Sequence, residues 1–158
     1  MDGPFWEDFA IGETAASSAR TITEADIVNF AGLSGDFNPV HVDAEFAAAS
    51  IFGQRIAHGL LGLAVASGLH MRGAVHHPAV MAFLGIERWT FRQPIRIGDT
   101  IRVHMTISAK RATSKPDRGI LTQQIELRNQ RDEIVQQGEF TLMVKRRAAA
   151  EQPDAGRQ

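Results

Sequence analysis

The stretch Leu60 to Met71 constrains the fold more than any other part of this chain. Leu60, Leu61, Leu63, Val65, Leu69 and Met71 are separated by small residues, and the stretch carries no formal charge. It reads as a helix that is hydrophobic nearly all round, so other elements must enclose it; it is too short and too flanked by histidine to span a membrane. The second half of the chain can supply the enclosure. Ile101, Val103, Met105 and Ile107 alternate with Arg102, His104, Thr106 and Ser108 at the period of a strand. Further strand-like runs fall at about Val80 to Arg92, Gly119 to Asn129 and Ile134 to Lys145, separated by the turns Gly98-Asp99, Lys115-Pro116-Asp117 and Gln130-Arg131-Asp132. The pattern predicts an antiparallel meander, with Thr14 to Thr21 adding a fifth strand. The expected fold is α+β: one five-stranded antiparallel sheet with the apolar helix packed on a face. Burial of Leu63, Val65 and Leu69 would contribute about 1.5–3 kcal/mol each.

With 158 residues, 44% of them apolar, the chain suits one domain with a proper core and is too short for two. The domain is expected over 1–146, with 147–158 a flexible tail: Arg146 to Gln158 is rich in Ala, Gln and charge and has no strand pattern. A formal charge of −1, with both signs interspersed, argues against nucleic acid as a partner. Absence of cysteine excludes disulfides, thiolate catalysis and cysteine-based metal sites. Met1 to Phe9 is acidic and has no apolar core, so no secretory signal is read there and the cytoplasm is the expected compartment.

The chemistry concentrates in Phe30-Ala31-Gly32-Leu33-Ser34-Gly35-Asp36-Phe37-Asn38-Pro39-Val40-His41. Asp36 and His41 would fall on different faces of a helix, and a strand would hold their Cα atoms up to roughly 17 Å apart. Only a bend brings them together. Gly35 permits an unusual backbone angle, while Pro39 fixes its own φ and drives Asn38 out of the helical region. So bent, the loop can let Asp36 and His41 share one water. The alternative is a loop in which Ser34, Asp36 and Asn38 merely bond the local backbone.

Thr23 with Asp26 resembles a capping box and predicts a helix from about Glu24 to Ala31 that delivers the chain to Asp36. Asp43 is read as the cap of a short helix from Ala44 to about Ser50. A second polar cluster, Arg55-Ile56-Ala57-His58-Gly59, immediately precedes the apolar helix. Gly59 at its N-terminus would present unpaired N–H groups that can polarise a carbonyl or stabilise an oxyanion; the alternative is close backbone packing.

Together these residues resemble the MaoC-like family, which includes (R)-specific enoyl-CoA hydratases of hot-dog fold. The specific part runs from Phe30 through Ala47. Phe5-Trp6-Glu7-Asp8-Phe9 with Gly12-Glu13, Thr21 through Ile27, Phe52-Gly53 through His58-Gly59, and Pro94 with Gly98-Asp99-Thr100 support it. The resemblance implies a sheet wrapped around the central helix and a homodimer with joined sheets. It implies that Asp36 and His41 are the catalytic pair, that Asn38 organises their loop, and that the Gly59 N–H holds a thioester carbonyl. The implied reaction is reversible hydration of a trans-2-enoyl-CoA, or a related carrier thioester, to an (R)-3-hydroxyacyl thioester, with no metal or redox cofactor. It also implies that Ser67 and His70 approach the acyl chain, and His70 in place of an apolar residue points to a short or polar acyl group.

The remaining candidates read more plainly. His58 is expected to support the turn into the helix, and His76 and His77, before Pro78, to be loop residues. Neither they nor His104 has zinc-ligand spacing. Arg55, Arg88, Arg92, Arg96, Lys110 and Arg111 are candidates for the phosphates of CoA. Two other functions are compatible with the sequence: a hot-dog acyl-CoA thioesterase and a non-catalytic acyl-thioester binding module.

Overall fold

The computed structural model describes residues 4–72 and 79–147. His76, His77 and residues 148–158 lie outside the described residues. A short 3-10 turn, Trp6–Asp8, precedes strands β1 (Thr14–Ala16) and β2 (Arg20–Thr21). Helices α1 (Glu24–Ser34), α2 (Pro39–Val42), α3 (Ala44–Ala49) and α4 (Gly59–His70) follow, then strands β3 (Val80–Phe91), β4 (Thr100–Ala112), β5 (Arg118–Arg128) and β6 (Ile134–Lys145). The strands form one antiparallel sheet in the order β1-β4-β5-β6-β3, with β2 also pairing to β4.

Two details differ from the sequence expectation. Only β4, β5 and β6 form a meander; β3 pairs with β6 at the far edge. The Thr14–Thr21 strand is broken in two at Ser17, whose N–H donates to Val103 O while its hydroxyl, in place of a backbone carbonyl, accepts from the Val103 N–H. The sheet therefore has six strands where five were expected.

Period-two patterning places Ile101, Val103, Met105 and Ile107 of β4 in the core against Leu61, Val65, Ala66 and Leu69 of α4. Phe140 of β6, fully buried, completes this layer. The enclosure of α4 is incomplete within one chain: Leu63 is half-buried and Leu60 is 61% exposed. In β3 the register shifts between Glu87 and Thr90, and Arg88 sits at φ 51°. This bulge re-aims the following side chain, and Trp89 packs against the core, stacked on Phe140 at 5.4 Å.

The expected start of the tail is anchored. Arg146 Nε donates to Glu7 Oε1 at 2.8 Å, and Arg147 pairs with Asp8 at 2.7 Å, closing the end of β6 onto the N-terminal turn. Among the described residues no helix is long and apolar enough to cross a membrane.

Candidate active site

The loop after α1 is built by local hydrogen bonds. Thr23 and Asp26 form the capping box at the start of α1: the Thr23 N–H donates to Asp26 Oδ2 at 2.9 Å, and the Asp26 N–H donates to Thr23 Oγ1 at 3.3 Å. Gly35 ends the helix at φ 75°, in the left-handed region that glycine enters without steric cost, and its N–H donates to Ala31 O. The turned chain is stitched by Asp36 N–H to Ser34 Oγ at 3.2 Å, Asn38 N–H to Asp36 Oδ1 at 3.1 Å, and Val40 N–H to Asn38 Oδ1 at 3.2 Å. Asn38 is thereby the N-cap of α2, with Pro39 at its first position, an arrangement that suits proline. The short helix that results was not expected from the sequence; it turns His41 inward. Asp43 caps α3 by accepting from Phe46 N–H at 2.9 Å, as its position suggested.

His41 is largely buried, and its Nδ1 lies 2.8 Å from Ile56 O. A carbonyl only accepts, so Nδ1 donates to it and Nε2 is the ring nitrogen left for other partners. Ile56 and Ala57 are in turn pinned to the segment between β3 and β4 by the Ile56–Arg96 bridge and the Ala57 N–H to Ile95 O bond. His58, almost fully buried, donates from Nε2 to Asp36 O at 2.9 Å, and its ring stacks on His41 at 3.8 Å. His58 Nδ1 is buried without a partner among the described residues. The His58 ring thus joins the Asp36 loop to the entrance of α4.

Asp36, His41 and Gly59 all line one cavity of about 450 Å³, walled by Phe30, Phe52, Leu60, Phe91 and Pro94. Asp36, His41 and the first residue of α4 therefore line the same largely apolar space. Asn38 shapes the loop without joining the wall. Ser67 and His70 are not on this wall either. His70 is 1% exposed, with Nε2 2.5 Å from Gln123 Oε1 and its ring edge-on to Phe140.

Asp36, His41 and His58 each offer a metal-ligand atom within 4.8 Å of the others. One ring nitrogen of each histidine is already held by a carbonyl, His41 Nδ1 by Ile56 O and His58 Nε2 by Asp36 O.

Of the six cationic candidates, Arg92 lines the cavity. Arg55 pairs with Glu24, Arg88 with Glu139, Arg96 bonds Phe52 O, and Lys110 bonds Phe9 O. Sequence reasoning did not single out Gln136 or Phe91 for the site. The available signal for Gln136 was a polar residue in phase with the buried Phe140, Leu142 and Val144 of the same strand.

Comparison with known proteins identifies the family and the fold. The family model described as MaoC like domain matches residues 8–128. An (R)-specific enoyl-CoA hydratase of Rhodospirillum rubrum is 34% identical over 143 residues, covering 90% of this chain and 93% of that protein. Protein MaoC of Klebsiella aerogenes is 43% identical over 114 residues, 72% of this chain; the match spans only 33% of that longer protein. A Mycobacterium tuberculosis protein with a double hotdog fold superposes with a TM-score of 0.81 at 20% identity, over 99% of this chain and 47% of that one. The sheet and its central helix are the hotdog arrangement.

Proposed function

The chain belongs to the MaoC-like dehydratase family, and from that premise we propose that it reversibly hydrates a trans-2-enoyl-CoA, or the corresponding carrier thioester, to an (R)-3-hydroxyacyl thioester. The observation that carries this reading is the presence of Asp36, His41 and Gly59 on one cavity wall.

In the proposed reaction the thioester oxygen accepts a hydrogen bond from the Gly59 N–H, aided by the positive end of α4. A water lies between the Asp36 carboxylate and His41 Nε2. Asp36 takes a proton from it while its oxygen bonds to C3, and electrons move through C2 onto the thioester oxygen as an enolate. The Asp36/His41 pair then delivers the proton to C2 on the same face. Water is the sole co-reactant, so atoms balance without a cofactor. The apolar wall weakens competing solvation of the enolate and so favours the fixed donor.

Ser67 and His70 lie off the cavity wall and His70 is tied to Gln123, so His70 does not set the acyl length, and crotonyl serves as the probe substrate. Dimerisation through β3 is part of the same reading. This edge strand exposes Met81, Phe83, Leu84 and Ile86, an apolar row that a second sheet edge would cover.

The test is loss of the conjugated enoyl absorbance with crotonyl-CoA, with chiral analysis of the product and a parallel assay for free CoA. Hydration to the (R)-product, lost by about 10²-fold or more in Asp36→Asn and His41→Ala, is expected. Release of free CoA without hydration would point to thioester hydrolysis. Binding without either reaction would make the chain an acyl-thioester binding module.

A further inference from the structure

We propose that Gln136 is a positioning residue that holds the Gly59 N–H in line with the thioester oxygen, and that Trp89 fixes the orientation of its amide. This rests on the hydratase reading for its chemical meaning, though not for its geometry.

Gln136 Nε2 donates to Gly59 O at 3.0 Å, and Trp89 Nε1 donates to Gln136 Oε1 at 3.1 Å. An indole N–H can only donate, so it selects Oε1 and leaves the NH₂ group facing Gly59. Gln136 is 2% exposed, yet it stands among groups that would accept an apolar side chain, including Ile95. A primary amide buried there is destabilising unless both its ends are bonded.

The need for the anchor follows from Gly59 itself. Its N–H lies in the peptide plane shared with His58 and its C=O in the next plane, and the torsions between them are softest at a residue with no Cβ. The first plane is held by the Gly62 N–H bond to His58 O at 3.2 Å, and the second is held laterally by Gln136. Gly62 makes room for this arrangement: a Cβ there would come within 2.2 Å of Gln136 Nε2. Phe91, the cross-strand partner of Gln136, lies over Gly59, so β3 and β6 together clamp the helix entrance.

The experiment uses Trp6→Phe as background, because Trp6 lies away from the cavity and its removal leaves Trp89 as the only indole. Gln136→Met fills the space without an amide. In a protein shown to be folded by circular dichroism, kcat for crotonyl-CoA hydration should fall by about tenfold to hundredfold with KM changed less than about threefold, the signature of a misplaced transition-state donor. The substrate-free emission of Trp89 should shift as its hydrogen bond is lost. Gln136→Glu is the second arm. Its carboxylate cannot donate to Gly59 O, but its neutral acid can donate there and accept from Trp89. Activity relative to the background protein should therefore recover as pH falls. Asp36, His41, His58 and Arg92, the ionisable groups on the same wall, are common to both proteins and largely cancel in that ratio.

Full kcat in Gln136→Met, or a Gln136→Glu ratio that is flat with pH, overturns the positioning role. Unchanged Trp89 emission overturns the hydrogen-bond relay. A background protein inactive toward every enoyl thioester instead sinks the hydratase reading, and an emission shift would then show the relay to be structural only.

Discussion

Replacing Gly59 by alanine should separate stability from catalysis. A Cβ built at residue 59 lies 2.7 Å from Phe91 Cε1 and 2.9 Å from Cδ1 and Cζ, well inside the ordinary carbon contact of about 3.5–4.0 Å. Phe91 is more than half exposed and can swing aside, at about 0.5–1.5 kcal/mol if it leaves its rotamer. Alanine favours the helix over glycine by up to about 1 kcal/mol, less at a first-turn position. The two effects nearly offset, so the unfolding free energy should change by no more than about 1 kcal/mol. Catalysis has no such compensation. In the proposed reaction the methyl stands beside the N–H that the thioester oxygen reaches, and the displaced ring leaves the cavity wall. The loss in kcat/KM should approach that of an oxyanion donor, about 10²–10³-fold. Urea denaturation gives the first quantity and initial rates of crotonyl-CoA hydration the second. An active Gly59→Ala enzyme, within about threefold of wild type, would refute the role of this N–H. A stability loss beyond about 3 kcal/mol would mean that the glycine serves close packing instead.

Two further predictions concern the frame of the loop. Gly35 has open space where a Cβ would go, so Gly35→Ala should cost stability through its φ of 75° alone, about 1–2 kcal/mol, and Gly35→Asn distinctly less; equal urea midpoints for wild type and Ala would remove the argument. Burial opposes the charge on Asp26, but hydrogen bonds from the Thr23 backbone and hydroxyl and the Arg20 guanidinium outweigh it and hold the carboxyl below its ordinary 3.8. Because the folded value is the lower one, the stabilisation is present above 3.8 and lost as pH falls through the depressed value. The stability gap between wild type and Asp26→Asn should therefore close on acidification, and a gap constant from about pH 5 to about pH 2.5 would contradict it.

The features legible in the sequence are those whose causes are local. The bonds among Ser34, Asp36, Asn38 and Val40 join residues two apart, and residue type alone suggests them. The caps at Thr23 and Asp43 and the break at Gly35 are of the same kind. Strand alternation in β4 is legible because one face meets α4 and the other meets solvent. Strand order is not legible in this way. Alternation says which face of β3 is apolar without saying which neighbour it pairs with, so β3 was expected to continue the meander when in fact it lies beside β6.

The same division runs through the site. Asp36 and His41 are brought together by a bend written into the residues between them, whereas Gln136 reaches Gly59 across 77 residues of chain and Trp89 across 47. Neither contact leaves a motif; each leaves only a residue that is polar or bulky where the strand pattern calls for something plainer. A buried glutamine in phase with Phe140, Leu142 and Val144 violates the apolar pattern of β6. The bulge at Arg88 violates the alternation of β3 and turns Trp89 to meet it. Both departures converge on the backbone of Gly59, the residue with the least intrinsic means of holding its own orientation. In the proposed reaction a locally encoded acid–base loop thus relies on a non-local clamp on its partner helix, and the cost of breaking the strand patterns falls beside the backbone proposed to hold the carbonyl.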